Sequence, residues 1–356
     1  MAKTGLNRNV FLRQPIMRKV IAAMVPCVLG GVYYFGWRSL ANVLVAWTVC
    51  FGTEFIFCRK RKEPVSEAAF VTATILAIIL PPGVPWHVLI IACVVSIMFA
   101  KEVFGGWARN IFNPAMAGRC FVYICFPIAL TSMWTRPAEG LTGALDRWST
   151  AAQPNAVTIA SPVGLLKQGK LVPRGSKEPF AGKSIPFRIE DGQQQYVRKT
   201  SLLKALILGR ISGSMGVTNV ILICLGGLYL FYKKIASRSI ILSVIISYAV
   251  LNELLSMLSV PGFYGAGIAL CSGGFLFGAF FMATDPVSAP KTEVGKIMYG
   301  LIISAATTVI KNFSIFTGGF MFSLLLANMF APILDYAVKS FSKHTKALKP
   351  ERKAAG

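Results

Sequence analysis

Three sets of polar residues stand inside otherwise apolar stretches of the chain. They are Glu54, the group Asn110, Asn113 and Arg119 around Pro114, and Asp285 in the run Ala283-Thr284-Asp285-Pro286. A carboxylate held among apolar residues either binds a cation, relays a proton or pairs with a neighbouring base. Glu54 precedes the basic cluster beginning at Arg59 by five residues, so an ion pair with Arg59 or Lys60 competes with a cation role. Asp285 competes in the same way as an N-cap side chain for the next helical segment. The two amides and the guanidinium suit hydrogen bonding to a bound cofactor, with Gly105 and Gly106 allowing close backbone approach just before them. The bland alternative is that they satisfy the backbone of a broken helix. Glu102 reads as an interface charge paired with Lys101 or Arg109, and Glu253 has no evident sequence partner beyond a helix-to-helix contact. The eight cysteines form no CxxC and the only histidines are His87 and His344. That pattern argues against a zinc site or a cysteine-ligated iron–sulfur cluster within this chain alone.

Those residues need elements to position them, and composition says what kind. Of 356 residues, 54% are hydrophobic and 14% charged, well under the quarter or so charged in soluble domains. The expected class is an all-α polytopic membrane protein. Its ten spans lie near 18–37, 40–58, 68–82, 86–104, 114–131, 216–234, 238–257, 262–284, 295–311 and 315–338. The first apolar run is too long for a signal-peptide core and no small-residue cleavage site follows it. The formal charge of +23 sits between spans and in the termini, which points to topology and anionic lipid headgroups rather than to nucleic acid. Arg8, Arg13, Arg18 and Lys19, the cluster Arg59-Lys60-Arg61-Lys62, Lys233, Lys234 and Arg238, Lys291, Lys296 and the tail lysines all fall on one side. By the positive-inside rule that side is the cytoplasm, with both termini inside a bacterial inner membrane.

The chain divides into a first five-helix repeat (1–131), an extracytoplasmic loop (132–213), a second five-helix repeat (214–340) and a basic cytoplasmic tail (341–356). Five spans on either side of one outside loop make the two halves opposite in orientation, an inverted repeat of the kind that places sites at interrupted helices. Interruptions occur at matching places: Leu80-Pro81-Pro82-Gly83-Val84-Pro85 ends the third span of the first half, and Ala283 to Pro290 ends its counterpart. Non-helical backbone at such depth persists only where protein or water satisfies it. Within the outside loop, residues 171–176 spell Leu-Val-Pro-Arg-Gly-Ser, a hexapeptide used as a protease-cleavage tag.

Several segments together resemble the family of NqrB and RnfD, membrane subunits of the sodium-pumping NADH:quinone reductase and of the related Rnf complex. They are Val65 to Thr72 leading to Pro81-Pro82, Ala100 to Gly106, Arg109 to Arg119, Phe281 to Ala289, and Leu326 to Pro332. The wording is closer to NqrB, without its longer amino-terminal extension. The resemblance implies FMN joined through its phosphate to a hydroxyl in a pattern like Asp-x-x-Ser/Thr-x-Ala-Thr/Ser. Here Asn155-Ala156-Val157-Thr158-Ile159-Ala160-Ser161-Pro162 matches it, with Ser161 as acceptor, Thr158 as the preceding hydroxyl, and Asn155 where the family has Asp. Taken alone, that stretch reads as a turn. Lys167 and Lys170 follow and offset a phosphate charge. The resemblance further implies a second, non-covalent flavin, riboflavin in NqrB, for the isoalloxazine or ribityl group of which the Asn110, Asn113 and Arg119 cluster is the candidate. It implies a cation-uptake role for the acidic position at Glu54, and a cation or flavin-environment role for Asp285. It also implies the other subunits of an Nqr- or Rnf-type complex, a flavin transferase and a quinone as partners. For the quinone, Cys50 and Phe51 stand where the family has a glycine pair, with Gly52 displaced.

The function so implied is a flavin-carrying membrane subunit that passes electrons between flavins across the membrane, coupled to Na+ or H+ transport. No nucleotide-binding Gly-rich loop or iron–sulfur motif is present, so NADH or ferredoxin chemistry falls to partner subunits and this chain is not catalytic alone. The rival is a non-redox channel or carrier, because inverted five-span repeats also build urea and ammonium channels. An ammonium-type pore needs paired histidines, and His87 at a loop edge and His344 in the tail do not supply them.

Overall fold

A computed structural model describes residues 10–131, 133–138, 140, 142–150, 171–173, 195–197, 199–260, 262, 263, 265–314 and 318–354. Five helices are long and apolar enough to cross a bilayer: α1 (Pro15–Phe35), α2 (Arg38–Arg61), α9 (Arg238–Met257), α12 (Glu293–Phe313) and the Gly319–Ser342 part of α13 (Gly319–Ala354). Between them run shorter helices: α3 (Ala68–Ile79), α4 (Trp86–Ile97), α5 (Pro114–Cys125), α6 (Pro127–Thr131), α7 (Lys199–Leu208), α8 (Val220–Tyr232), α10 (Ala266–Cys271) and α11 (Phe275–Phe277). Wider π-helical turns follow α4 at Met98–Glu102 and α11 at Gly278–Met282. Four short strands pair in parallel, β1 (Phe11–Leu12) with β2 (Val65–Ser66) and β3 (Leu171–Pro173) with β4 (Gln195–Val197). The membrane all-α class is therefore as expected. Several of the ten spans are shorter as helices than drawn, and 262–284 is divided among α10, α11 and a π turn. The break falls at Ser272–Gly274, where Gly273 and Gly274 take left-handed φ of 65° and 69°.

The two halves pair their elements alike. In the first, α2 packs on α4 and α4 on α5; in the second, α9 packs on α12 and α12 on α13. The halves meet where α1 lies on α8, at such close range that a Cβ on Gly226 would stand 2.0 Å from the Ala23 carbonyl oxygen. Small residues at helix crossings serve this purpose where no water drives the helices together.

The Pro-rich interruptions keep their backbone groups satisfied by protein, as a low-dielectric setting demands. Asn42 Nδ2 donates to the Pro82 carbonyl (3.3 Å), an Arg38 guanidinium nitrogen donates to the Val84 carbonyl (3.0 Å), and the Gly216 amide donates to that of Ile78 (3.0 Å). At the other interruption Asn328 Nδ2 donates to the Ser288 carbonyl (3.2 Å). The outside loop begins by lacing onto the end of α1: the amides of Ala144, Ala138 and Thr150 donate to the carbonyls of Tyr33, Tyr34 and Phe35 at 2.8, 2.8 and 3.2 Å.

Candidate functional site

The ends of α2, α3, α4, α5 and the second π turn converge beside a cavity. Its empty space, part of it open at the mouth, is about 740 Å³, within the roughly 300–1,000 Å³ usual for small-molecule sites. One wall is apolar (Val20, Val71, Ile75, Leu230, Ile235, Phe281), and the other carries Lys101, Trp107, Asn110, Asn113, Thr284 and Asp285. Three of the sequence candidates, Asn110, Asn113 and Asp285, thus meet from segments more than 170 residues apart. Arg119, six residues on from Asn113 and half-buried, is not among the lining residues. Ser161, Thr158 and Lys167, with Asn155 and Lys170, lie outside the described residues.

Each side chain is held by local chemistry. Asn113 is the N-cap of α5: its Oδ1 accepts from the amides of Ala115 (3.1 Å) and Met116 (3.3 Å), and Pro114 fills the first helical position with no N–H to satisfy. Its Nδ2 donates to the Met282 carbonyl in the second π turn (3.1 Å), and its own amide donates to Asn328 Oδ1 (3.1 Å). Asn328 also donates to the Tyr299 hydroxyl (2.7 Å). The Asn113 amide group is thereby a brace between halves, the broken-helix reading. Asn110 donates to the Phe112 carbonyl (3.0 Å) and lines the cavity. Asp285 caps a turn, not the helix that follows: its carboxylate accepts from the Val287 amide (3.3 Å) and the Ser288 hydroxyl (2.7 Å), while the N-cap of α12 is Thr292.

Glu54 has a different partner from the one its neighbours suggested. Its Oε2 lies 2.5 Å from Lys101 Nζ, both side chains almost wholly buried, and its Oε1 accepts from the amide (2.9 Å) and hydroxyl (2.7 Å) of Ser66. Lys101 also donates to Ser66 Oγ (2.6 Å) and its ammonium lies 5.9 Å from the Trp107 ring centroid. Arg59 and Lys60 stand five and six positions on, off the face that helical neighbours three or four apart share. Glu102 likewise pairs with neither Lys101 nor Arg109 but with Arg61. Consecutive residues cannot face one another on a helix. Gly106 makes room for that pair: at φ 92° it lets Arg61 Nη2 pass where a Cβ would stand 2.7 Å away. Glu253 accepts from the Ala266 amide (2.8 Å), so its helix-to-helix contact is to α10.

Sequence reasoning missed Lys101 and Trp107 as cavity residues, although Lys101 and Glu54 were both visible as charges within spans. It also missed the clasp at the cavity's edge. There Gln14 and Arg18 hold Glu67, the residue before α3, and the Arg18 guanidinium keeps that carboxyl below the ordinary glutamate range.

Comparison with known proteins places this geometry. A family model described as NQR2, RnfD, RnfE family matches residues 8–342. A membrane component of the proton-translocating ferredoxin:NAD(+) oxidoreductase complex of Clostridium ljungdahlii is 32% identical over 355 residues, covering 94% of this chain and 96% of that one. The matching component of the ion-translocating oxidoreductase complex of Aeromonas hydrophila is 32% identical over 364 residues (94% and 95%), and that of Vibrio cholerae 31% over 336 residues (91% and 93%).

Proposed function

The chain belongs to the NQR2, RnfD, RnfE family, and from that premise we propose that it is a flavin-carrying membrane subunit of an Rnf-type ion-translocating electron-transport complex. The observation that carries the reading is the cavity where Lys101, Trp107, Asn110 and Asp285 face an apolar wall. A planar aromatic ligand with polar edges fits such a lining, and Lys101 supplies a buried positive charge beside it. A bound flavin supplies one-electron chemistry. The chain's own residues do the rest: the apolar wall excludes water, Asn110 and Thr284 offer polar contacts, and Lys101 stabilises negative charge in a medium where charge is poorly screened. A second flavin, FMN esterified to Ser161 in the outside loop, takes electrons at the opposite face. Thr158 and Lys167 neighbour that attachment, and a flavin transferase installs it. The complex sits in a bacterial inner membrane with the charged end of the cavity, next to Arg18, Arg61 and Lys101, on the cytoplasmic side. Oxidation of ferredoxin and reduction of NAD belong to partner subunits.

The test separates the two flavins. The purified complex is denatured on a gel and viewed under ultraviolet light, and the acid-soluble fraction is assayed for released flavin. A fluorescent band of this chain that Ser161→Ala removes, together with released flavin that survives that substitution, is the expected result. A dark wild-type band sinks the covalent assignment, and an acid extract empty of flavin sinks the cavity assignment.

A further inference from the structure

Lys101 has two neighbours of different kinds. On one side it lines the cavity and lies near Trp107; on the other it is the only cationic partner of Glu54 among the described residues. Glu54 does not line the cavity. Behind it stands a second carboxylate, Glu102, with Cys58. Ligand atoms of Glu54, Cys58 and Glu102 lie within 4.8 Å of one another. Glu102 Oε2 is held by Arg61, but its Oε1 is buried with no hydrogen-bond donor. The charged and titratable groups packed around Glu54 are thus Lys101, Glu102, Arg61 and Cys58, with Ser66 completing its hydrogen bonds.

We infer that Lys101 is shared between the cavity's occupant and Glu54, so that negative charge arriving in the cavity frees the Glu54 carboxylate to take up a cation. The inference rests on the flavin reading of the cavity and adds to it a residue for ion coupling. When one electron arrives from another carrier of the complex, the occupant gains one unit of negative charge and no bond is broken. Lys101 keeps its proton and turns its ammonium toward that charge. Glu54 loses its partner in a setting where an unpaired buried charge is strongly disfavoured. A sodium ion or a proton from the adjoining aqueous side restores neutrality there, with Glu102 Oε1 as a ready second ligand. On reoxidation the electron leaves, Lys101 returns to Glu54, and the cation is expelled. Ser66 bonds both partners and holds the carboxylate's far oxygen, so the exchange needs only the lysine tip to move. Lys101 sits in a π turn, a local widening of the helix that recurs at functional sites.

The test is the midpoint potential of the non-covalent flavin in the intact purified complex, by spectroelectrochemical titration, at a series of Na+ concentrations and pH values. Flavin content of each variant is measured by acid extraction. Glu54→Gln removes the competitor for Lys101. It is expected to favour the reduced form at least tenfold, a rise of 59 mV for one electron, at low Na+ and neutral pH. The gap between wild type and variant closes as the coupling cation saturates Glu54. Closure on adding Na+ identifies sodium, and closure on lowering pH identifies the proton. Lys101→Met lowers the midpoint, and Glu54→Gln added to it changes nothing further. No gap under any condition overturns the inference, as does a Glu54→Gln shift that persists in the Lys101→Met background, because Glu54 then acts without Lys101. A wild-type complex that yields no extractable flavin has a separate signature: the cavity reading itself has failed, and this inference falls with it.

Discussion

Removing the Asn113 side chain tests whether its amide is a brace or a ligand contact. Asn113→Ala loses the N-cap of α5, where Oδ1 serves two amides, at a cost of about 1 kcal/mol. It also strips the Met282 carbonyl of its donor, a buried acceptor left unsatisfied at about 1–3 kcal/mol. The two sites touch different segments, so the sum is about 2–4 kcal/mol. Asn113→Ser keeps an oxygen for the cap and gives up the reach to Met282, so it should retain about 1 kcal/mol of that. The contact of the Asn113 backbone amide with Asn328 survives in both. The assay is unfolding in mild detergent with increasing denaturing detergent, beside acid-extractable flavin measured on the still-folded fraction. The order expected is wild type, then Ser, then Ala, with flavin loss following instability. Wild-type stability in both variants with flavin lost from the folded protein would refute the reasoning, because the amide would then be holding a ligand and not the helix end.

Breaking the buried pair by Glu54→Gln or by Lys101→Met alone should cost about 3–5 kcal/mol in the same unfolding assay, with the double variant recovering most of it. Additive losses would show the pair is not buried as described. At the α1–α8 crossing, Gly226→Ala should cost roughly 1–3 kcal/mol by forcing the helices apart. Ala23→Gly should fail to rescue it, because the clash is with a backbone oxygen. The Arg18–Glu67 clasp holds the folded-state pKa of Glu67 below its unfolded value. Its stabilisation is therefore complete above the ordinary glutamate range near pH 4.3 and disappears as pH falls through the depressed folded value. A Glu67→Gln variant should lose the acid-side slope of stability over that window and differ little from itself between pH 4 and 7. Gly106→Ala should disturb the Arg61–Glu102 pair, since it both strains a φ of 92° and crowds the guanidinium.

The helical membrane class was legible because apolar run length is a direct consequence of bilayer thickness, and the Pro-rich stretches at Pro81 and Pro286 were legible because proline cannot continue a helix. Asn113 was legible as a special position from Asn-Pro alone, the pairing of a capping amide with a residue that suits the first helical turn. The charge pairs were not. Glu54 and Lys101 are 47 positions apart, and nothing in local pattern links them; the pairings drawn from nearby sequence ignored the 100° turn between successive helical side chains. Short helices were overdrawn for a related reason. Hydropathy counts apolar residues whether they coil, turn or widen into a π segment, so the stretches after α4 and across Ser272–Gly274 read as continuous spans.

The last carbonyls of α1 receive their amide donors from Ala138, Ala144 and Thr150, and the Tyr33 hydroxyl and Trp37 indole reach carbonyls 107 and 108 positions downstream. Chain synthesis thereby acquires an order. The first hairpin enters the bilayer with its outer tip finished only by water, and four more crossings must be threaded before the segment that seals it has been exported. Until then the tip is a hydrated, adjustable joint about which α1 and α2 can still settle. Sealing it locks the first half and carries the growing chain across to the outer face, where the remaining helices then descend against a completed template.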